Sequence, residues 1–321
     1  MDVHLRTCHA TVMDDQGTIL KQENLPNEKQ ELERFLESIG DAKVAMEACY
    51  CWQPVYEILE SRGYEVKLAH PLKTRLIAEA KIKTDAVDSE ALAHLLRADL
   101  LPTSYVPPRE IRDMRELVRL RTYLVRERAK LKSKIRAELA KRGIHFMKSP
   151  FAKRRVTLLR DLGIQTVNYC LDVIGELDER IRQLSRELKA KAEESEEAGL
   201  LMTIPGVDSF SALAILAEIG DISRFSNPEK LCSYAGLVPS VHQSGATRYC
   251  GRITKQGSKL LRWVLQECMW THLRYDTHIS RFFYRLARRR GKQKASVAAA
   301  RKLLSMIYWM LVRKEGFHAR P

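Results

Sequence analysis

"VHLRTCHATVMDDQGTILKQENLPNEKQELERFLESIG", residues 3–40, changes its hydrophobic period once, and that change decides the fold class. Residues 3–15 and 17–25 set apolar or β-prone side chains among polar ones on either side of Asp15-Gln16-Gly17. This is the pattern of two strands joined by a turn. Residues 27–40 then read as an amphipathic helix closed by Gly40. The alternation continues with "AKVAMEACY" as a buried strand, "QPVYEILESRG" as a helix ending at Gly63 and "YEVKLAHP" as another strand. The order β-β-α-β-α-β-α implies a mixed sheet covered on its faces, and such sheets present their sites at strand ends.

From Pro107-Pro108 onward the pattern is helical. Residues 109–143 run without glycine or proline until Gly143, with apolar side chains from Met114 to Leu139 near helical spacing. A second helical run covers about 165–198, as expected for partners in an antiparallel hairpin or in a coiled coil with a second subunit. A third part opens with "GLLMTIPGVDSFSALAILAEIG", whose Ile204-Pro205-Gly206-Val207 turn resembles a helix-hairpin-helix. Such a turn either offers backbone N–H groups to a phosphate or is a plain corner between packed helices. Two more helices follow, around residues 259–275 and 296–314, separated by "RLARRRGKQK". The expected class is therefore α/β plus α, in three domains: residues 1–105, 106–198 and 199–321.

With 321 residues and 45% hydrophobic content the chain buries substantial cores. No secretory signal and no uninterrupted run of about 18 apolar residues is found, so the expected compartment is the cytoplasm, with no membrane partner. Seven cysteines without a CxxC pair fit reduced thiols, and Cys49 and Cys51 stand too close for a bridge. The net charge of +15 is unevenly divided. Residues 1–105 hold 12 Lys/Arg against 18 Asp/Glu, a net of −6, whereas residues 106–321 hold 43 against 22, a net of +21. A surplus of that size suits a row of phosphates, with a solvated basic face as the plainer alternative.

Acidic residues carry the chemistry of the first part. Asp2 stands on the first strand, Glu47 at the end of "KVAME", and Asp85 and Asp88 at i and i+3 of "KTDAVDSEALA". On a helix that spacing leaves two side chains roughly 60° apart around the axis, so both face one point. Four converging carboxylates repel one another unless cations sit among them, and hard oxygen donors suit Mg²⁺ or Mn²⁺. Singly, Asp85 is equally a first-turn charge and Asp88 a solvated one. Glu47, on an apolar strand, is costly to bury without a partner.

Taken in order, "DVH", "MEA", "KTDAVDSEALA", "IPGV" and "YAGLVPSVHQSG…GRITKQGSKLLRWVL" resemble the DEDD-type transposases of the IS-one-ten insertion-sequence family, which includes site-specific DNA invertases. The resemblance covers nearly the whole chain. It implies an N-terminal RuvC-like, ribonuclease H-type domain, a helical coiled-coil region and a C-terminal transposase domain with a nucleophilic serine. It implies donor and target DNA as substrates, a structured non-coding bridge RNA as guide, and a homo-oligomer assembling from dimers to a tetramer. Carried over by position, the tetrad falls on Asp2, Glu47, Asp85 and Asp88, with the serine at Ser244. In one respect the chain departs from the pattern: Asp2 follows the first residue directly, so a shortened first strand is expected.

The segment 237–262 around Ser244 contains no carboxylate. On this reading Ser244-Gly245 sits on a loop in the positive field of Arg248, Arg252, Lys255 and Lys259, complementary to a phosphate and its transition-state charge. Arg288, Arg289 and Arg290 add a second basic cluster for a nucleic-acid backbone. A serine hydroxyl is a poor nucleophile unaided, and metal on the acidic residues would weaken its hold on the proton. His242 is a possible proton acceptor without an assigned role, and Ser240 and Thr247 are neighbouring hydroxyls. Three functions stand at this point. They are an RNA-guided recombinase forming a phosphoserine link, a RuvC-like nuclease using metal-activated water, and a nucleic-acid-binding protein without catalysis.

Overall fold

The computed structural model describes residues 1–78, 84–146, 149–244 and 247–318, with the backbone alone for Lys153, His242 and Arg248. It divides into two compact units, Met1–Val106 and Pro107–Pro321.

In the first unit β1 (Asp2–Val3), β2 (Thr7–Met13) and β3 (Ile19–Pro26) form an antiparallel meander. Asp2 stands opposite His9, and Cys8 opposite both Val3 and Leu25. Residues 3–15, expected as one strand, instead turn back after Val3. The His4 N–H donates to the Thr7 carbonyl at 2.8 Å, and Asn27 braces this turn with its N–H on the Arg6 carbonyl and its side-chain amide on the His4 carbonyl. Periodicity does not reveal such a reversal, because the alternation of inward and outward side chains survives on both sides of it. At the next turn Asp14 accepts from the N–H groups of Gln16 and Thr18 at 3.0 and 2.7 Å, the usual work of an aspartate at such a site.

Next come α1 (Lys29–Ile39), β4 (Lys43–Glu47), α2 (Trp52–Ser61), β5 (Glu65–Ala69), α3 (Pro71–Ile77) and α4 (Asp85–Arg97). β4 and β5 pair in parallel, with Glu47 opposite Ala69. The expected single mixed sheet is thus, among the described residues, a three-stranded antiparallel sheet and a two-stranded parallel one. Met1 links them: its amino group donates to the Ala45 carbonyl at 2.7 Å, and its carbonyl accepts from the Glu47 N–H at 3.4 Å. A two-residue β1 has too few backbone groups to carry that ladder further along β4.

Side chains of β4 and β5 alternate between two buried faces, as the period of two requires. Val44, Met46 and Leu68 pack with Leu32, Phe35, Val55 and Leu59, whereas Ala45 and Ala69 meet Leu92 of α4. Full burial of a side chain such as Leu32 or Leu59 stabilises the unit by roughly 1.5–3 kcal/mol. Ser89, fully buried on α4, contacts Thr11 Oγ1 at 2.7 Å and His9 Nδ1 at 2.9 Å. These contacts fix the rotation of α4 against β2, and with it the placement of Asp85 one turn earlier and of Asp88 next to Ser89.

The second unit holds α5 (Arg109–Ala140), α6 (Lys153–Asp161), α7 (Gln165–Glu193), α8 (Glu196–Met202), α9 (Ser209–Ile219) and α10 (Pro228–Tyr234). Strands β6 (Pro239–Ser244) and β7 (Thr247–Ile253) precede α11 (Lys259–His272), α12 (His278–Arg290) and α13 (Lys292–Arg313). α5 and α7 run antiparallel as a hairpin within the chain: Arg121 reaches Ser185 Oγ at 2.8 Å, and one heptad on Arg128 pairs with Asp178. Val118, Leu188 and Ala192 of this pair share one core with Leu201, Ile215, Leu261 and Leu303. The long helices and the residues after 199, expected as separate domains, therefore pack as one unit.

One correction concerns the tail. The segment expected to separate two helices belongs largely to a third, α12, which buries Ile279 and Phe283 and starts on a capping box between Thr277 and Ser280. Consecutive arginines at its end diluted the apolar stripe in the sequence, although cations in a last helical turn are favoured by the helix dipole. Among the described residues, α13 is long and apolar enough to cross a bilayer by length and composition, and 56% of its most apolar 18 residues are buried inside the protein. It serves as a core helix, through Ala299, Leu303, Leu304 and Ile307.

Candidate active site

Three of the four acidic residues singled out in the sequence come within electrostatic reach of one another in the first unit. Asp2 on β1 is 5% exposed. Burial raises its carboxyl pKa above the ordinary value, His4 opposes the shift, and the charges of Asp85 and Asp88 add to it. Asp85 is the first residue of α4, behind an N-cap in which Thr84 Oγ1 accepts from the Val87 N–H at 3.3 Å. Asp88 follows on the same helix, half-buried, its N–H donating to the Thr84 carbonyl at 2.9 Å. Glu47 ends β4, half-buried, and its backbone bonds Met1, the neighbour of Asp2.

His4 is the member that the sequence analysis passed over. Its Nε2 lies 3.3 Å from Asp2 Oδ2 and 3.3 Å from Asp85 Oδ1. The available signal was the Asp-x-His spacing of "DVH", which puts both side chains on one side of an extended chain. Asp2, His4 and Asp85 each offer a ligand atom, all within 4.8 Å of one another. A carboxylate pushed towards its protonated form by burial, and further by two neighbouring carboxylates, is an arrangement that a cation relieves. The donor set of Asp2, His4 and Asp85 therefore fits a divalent metal ion, with Asp88 near enough to act on Asp2 electrostatically.

Ser244 lies in the second unit. It is exposed and ends β6, paired with Thr247 at the far end of the β6–β7 hairpin, so it closes a strand where a loop was expected. The sequence of this segment hid the strands, because short runs such as "SVHQS" and "TRYCGRI" carry little apolar alternation. Gly245, the second half of the SG pair, lies outside the described residues, as do the side chains of His242 and Arg248.

The root of the hairpin is tightly held. Gly257 has φ 105°, and a Cβ there would fall 1.9 Å from the Tyr234 carbonyl oxygen. Arg262 donates to the carbonyls of Ala235 and Gly257 at 2.9 and 3.1 Å. Arg252 on β7, Lys255 and Lys259 at the start of α11 are all exposed. Among the described residues none of these three pairs with a carboxylate. Arg288, Arg289 and Arg290 are exposed at the end of α12.

The Ile204-Pro205-Gly206-Val207 turn has a different surrounding from the one a phosphate needs. A Cβ on Gly206 (φ 94°) would lie 2.9 Å from the Cys268 carbonyl oxygen and from the His272 nitrogen. His272 Nδ1 meets the Pro205 carbonyl at 2.8 Å, so the corner packs against α11.

Comparison with known proteins bears on both segments. Residues 1–142, which include all four acids, match the DEDD transposase model of IS110-type elements, and residues 198–285, which include Ser244, match the model "Transposase IS116/IS110/IS902 family". The transposase for insertion sequence element IS1111A of Coxiella burnetii is 27% identical over 300 residues, covering 88% of this chain and 82% of that protein. The putative transposase y4qE of Sinorhizobium fredii is 31% identical over 260 residues, covering 80% of this chain and 65% of its own length. The pilin gene-inverting protein of Moraxella bovis is 32% identical over 158 residues, 48% of each chain.

Proposed function

Because the chain belongs to the IS116/IS110/IS902 family of transposases, enzymes that cleave and rejoin DNA and use divalent metal, we propose that it is an RNA-guided recombinase. In this reading Ser244 forms a covalent link to DNA. The observation that carries it is the pairing of a metal-fit acidic site, centred on buried Asp2, with an exposed serine in a segment free of carboxylates. A divalent ion held by Asp2, Glu47, Asp85 and Asp88, Mg²⁺ or Mn²⁺ by hardness, would supply Lewis-acid activation of hydroxyl and phosphodiester.

The chain's own residues then do the following. Ser244 Oγ attacks phosphorus, losing its proton as the bond to the leaving DNA hydroxyl breaks and that hydroxyl is protonated. A hydroxyl of the partner strand reverses the exchange, so phosphodiester bonds are conserved without a nucleotide cofactor. Arg252, Lys255 and Lys259, with Arg248, hold the phosphate and stabilise its extra negative charge. The basic helices bind donor and target DNA and the structured guide RNA, in a homo-oligomer that builds from dimers to a tetramer. The RuvC-like assignment of the first unit rests on its opening antiparallel meander followed by parallel strands and helices. Seven free cysteines agree with a reducing, cytoplasmic compartment.

The test is to incubate the full chain with its co-purifying RNA, substrate DNA and Mg²⁺, then denature and look for DNA-linked protein. A covalent adduct present in wild type and absent in Ser244→Ala supports the proposal. Equal adduct in both excludes this serine, and cut ends without adduct favour metal-activated water.

A further inference from the structure

We infer that His4 is itself a ligand of the divalent ion, adding one imidazole nitrogen to the carboxylates and shifting the site's preference from Mg²⁺ towards Mn²⁺. The inference rests on the metal-binding reading of the acidic site and extends it to a residue outside the four acids.

The geometry is the argument. His4 Nε2 is 3.3 Å from an oxygen of Asp2 and 3.3 Å from an oxygen of Asp85, carboxylates that belong to different elements. Charge-assisted N–H···O bonds run about 2.7–2.9 Å, so both contacts are long for hydrogen bonds. One Nε2–H also cannot serve two acceptors well. In an octahedral site with ligand bonds of about 2.1 Å, adjacent donors stand roughly 3 Å apart, which is close to both of these separations. His4 Nε2 thus stands at nearly the separation of adjacent ligands from one oxygen of each carboxylate, and all three donor atoms lie within 4.8 Å of one another.

The imidazole is also held in place by its own backbone. His4 opens the turn between β1 and β2, donating to the Thr7 carbonyl and accepting from the Asn27 side chain. A ligand fixed by a braced turn loses little freedom when a metal binds. The choice of metal follows from donor chemistry. Mg²⁺ is a hard ion that favours oxygen ligands, whereas Mn²⁺ and the later first-row ions gain more from an imidazole nitrogen.

The experiment uses the full chain stripped with EDTA and titrated with MnCl₂ or MgCl₂. Binding is read by calorimetry, and by pulsed electron paramagnetic resonance of the Mn²⁺ complex, which detects a directly bound nitrogen. Wild type should show nitrogen coupling that changes on ¹⁵N-histidine labelling. His4→Asn should lose it, with Mn²⁺ affinity down about tenfold or more and Mg²⁺ affinity within about threefold. Because the labelling experiment needs only wild-type protein, a poorly folded variant does not block the test. If Mn²⁺ binds, is lost in Asp85→Asn, yet shows no nitrogen coupling and binds His4→Asn equally, the inference about His4 is overturned while the metal site stands. If wild type binds no Mn²⁺, both are overturned.

Discussion

Arg119→Met should destabilise the second unit far more than the removal of its partner, Glu218. Glu218 on α9 is 1% exposed, and both of its carboxylate oxygens are held by one guanidinium: Arg119 Nε at 2.8 Å and Nη2 at 3.1 Å. The cation's own side chain is 57% exposed. Without Arg119 the carboxylate stays buried and uncompensated, for which the usual cost is about 3–5 kcal/mol. The adjoining cleft, of about 430 Å³ and lined also by Arg126, admits water and a replacement cation, so the lower end, about 3 kcal/mol, is expected. For a unit of this size that lowers Tm by roughly 6–12 °C. Glu218→Leu leaves only a half-exposed cation, which water solvates, and should cost about 1 kcal/mol. The double variant should recover to within about 1 kcal/mol of wild type. Tryptophan fluorescence follows this unit selectively, because Trp263, Trp270 and Trp309 lie in it and Trp52 alone lies in the first. Two equal single-variant losses below about 1 kcal/mol would mean that the pair behaves as a solvent-exposed bridge, and the reasoning would fail.

Asp2 makes the metal-free protein sensitive to pH in a defined direction. Its folded pKa is raised, chiefly by burial, so the native state keeps the proton over a range where the unfolded chain, with the ordinary aspartate value of 3.8, has lost it. Stability in EDTA should therefore fall as pH rises from that value through the folded pKa, and Asp2→Asn should flatten the slope, as read from urea midpoints. A wild-type slope of the opposite sign would contradict the assigned cause. Gly257→Ala meets a carbonyl at 1.9 Å as well as a left-handed φ, and should cost about 3 kcal/mol or more. Gly291→Ala has φ 83° but open space and should cost about 1 kcal/mol, so equal losses in thermal melts would count against tight packing at the hairpin root.

How far the sequence reveals this structure depends on how local the cause is. The helix at 29–39, strand β4 and the position of Asp85 and Asp88 on one helix follow from period and spacing within a dozen residues. The reversal after Val3 is closed by His4 and Thr7 but braced by Asn27, more than twenty residues away, and no short window contains that brace. The same holds for His4, whose importance arises only when β1 and α4 bring two carboxylates to its ring. The β6–β7 hairpin was hidden for the opposite reason. Its strands are largely exposed and so lack the apolar alternation that burial imposes.

Charge gives a physical reason for acids and serine to stand on different parts of the chain. Exposed carboxylates repel phosphate by about 1 kcal/mol per pair at 4 Å in water, and more as water is excluded. Placed among Arg252, Lys255 and Lys259 they would cancel the field that, on the proposed function, draws DNA to Ser244. Asp2, Glu47, Asp85 and Asp88 together carry four formal negative charges, which one divalent ion only halves and two ions neutralise. The net +21 beyond residue 105 attracts phosphate whether or not metal is present. On the proposed function, the acidic site would by contrast admit a phosphate only once loaded with metal. On the proposed mechanism, then, holding DNA and cutting it are separate properties of one chain, and the second alone waits on the metal.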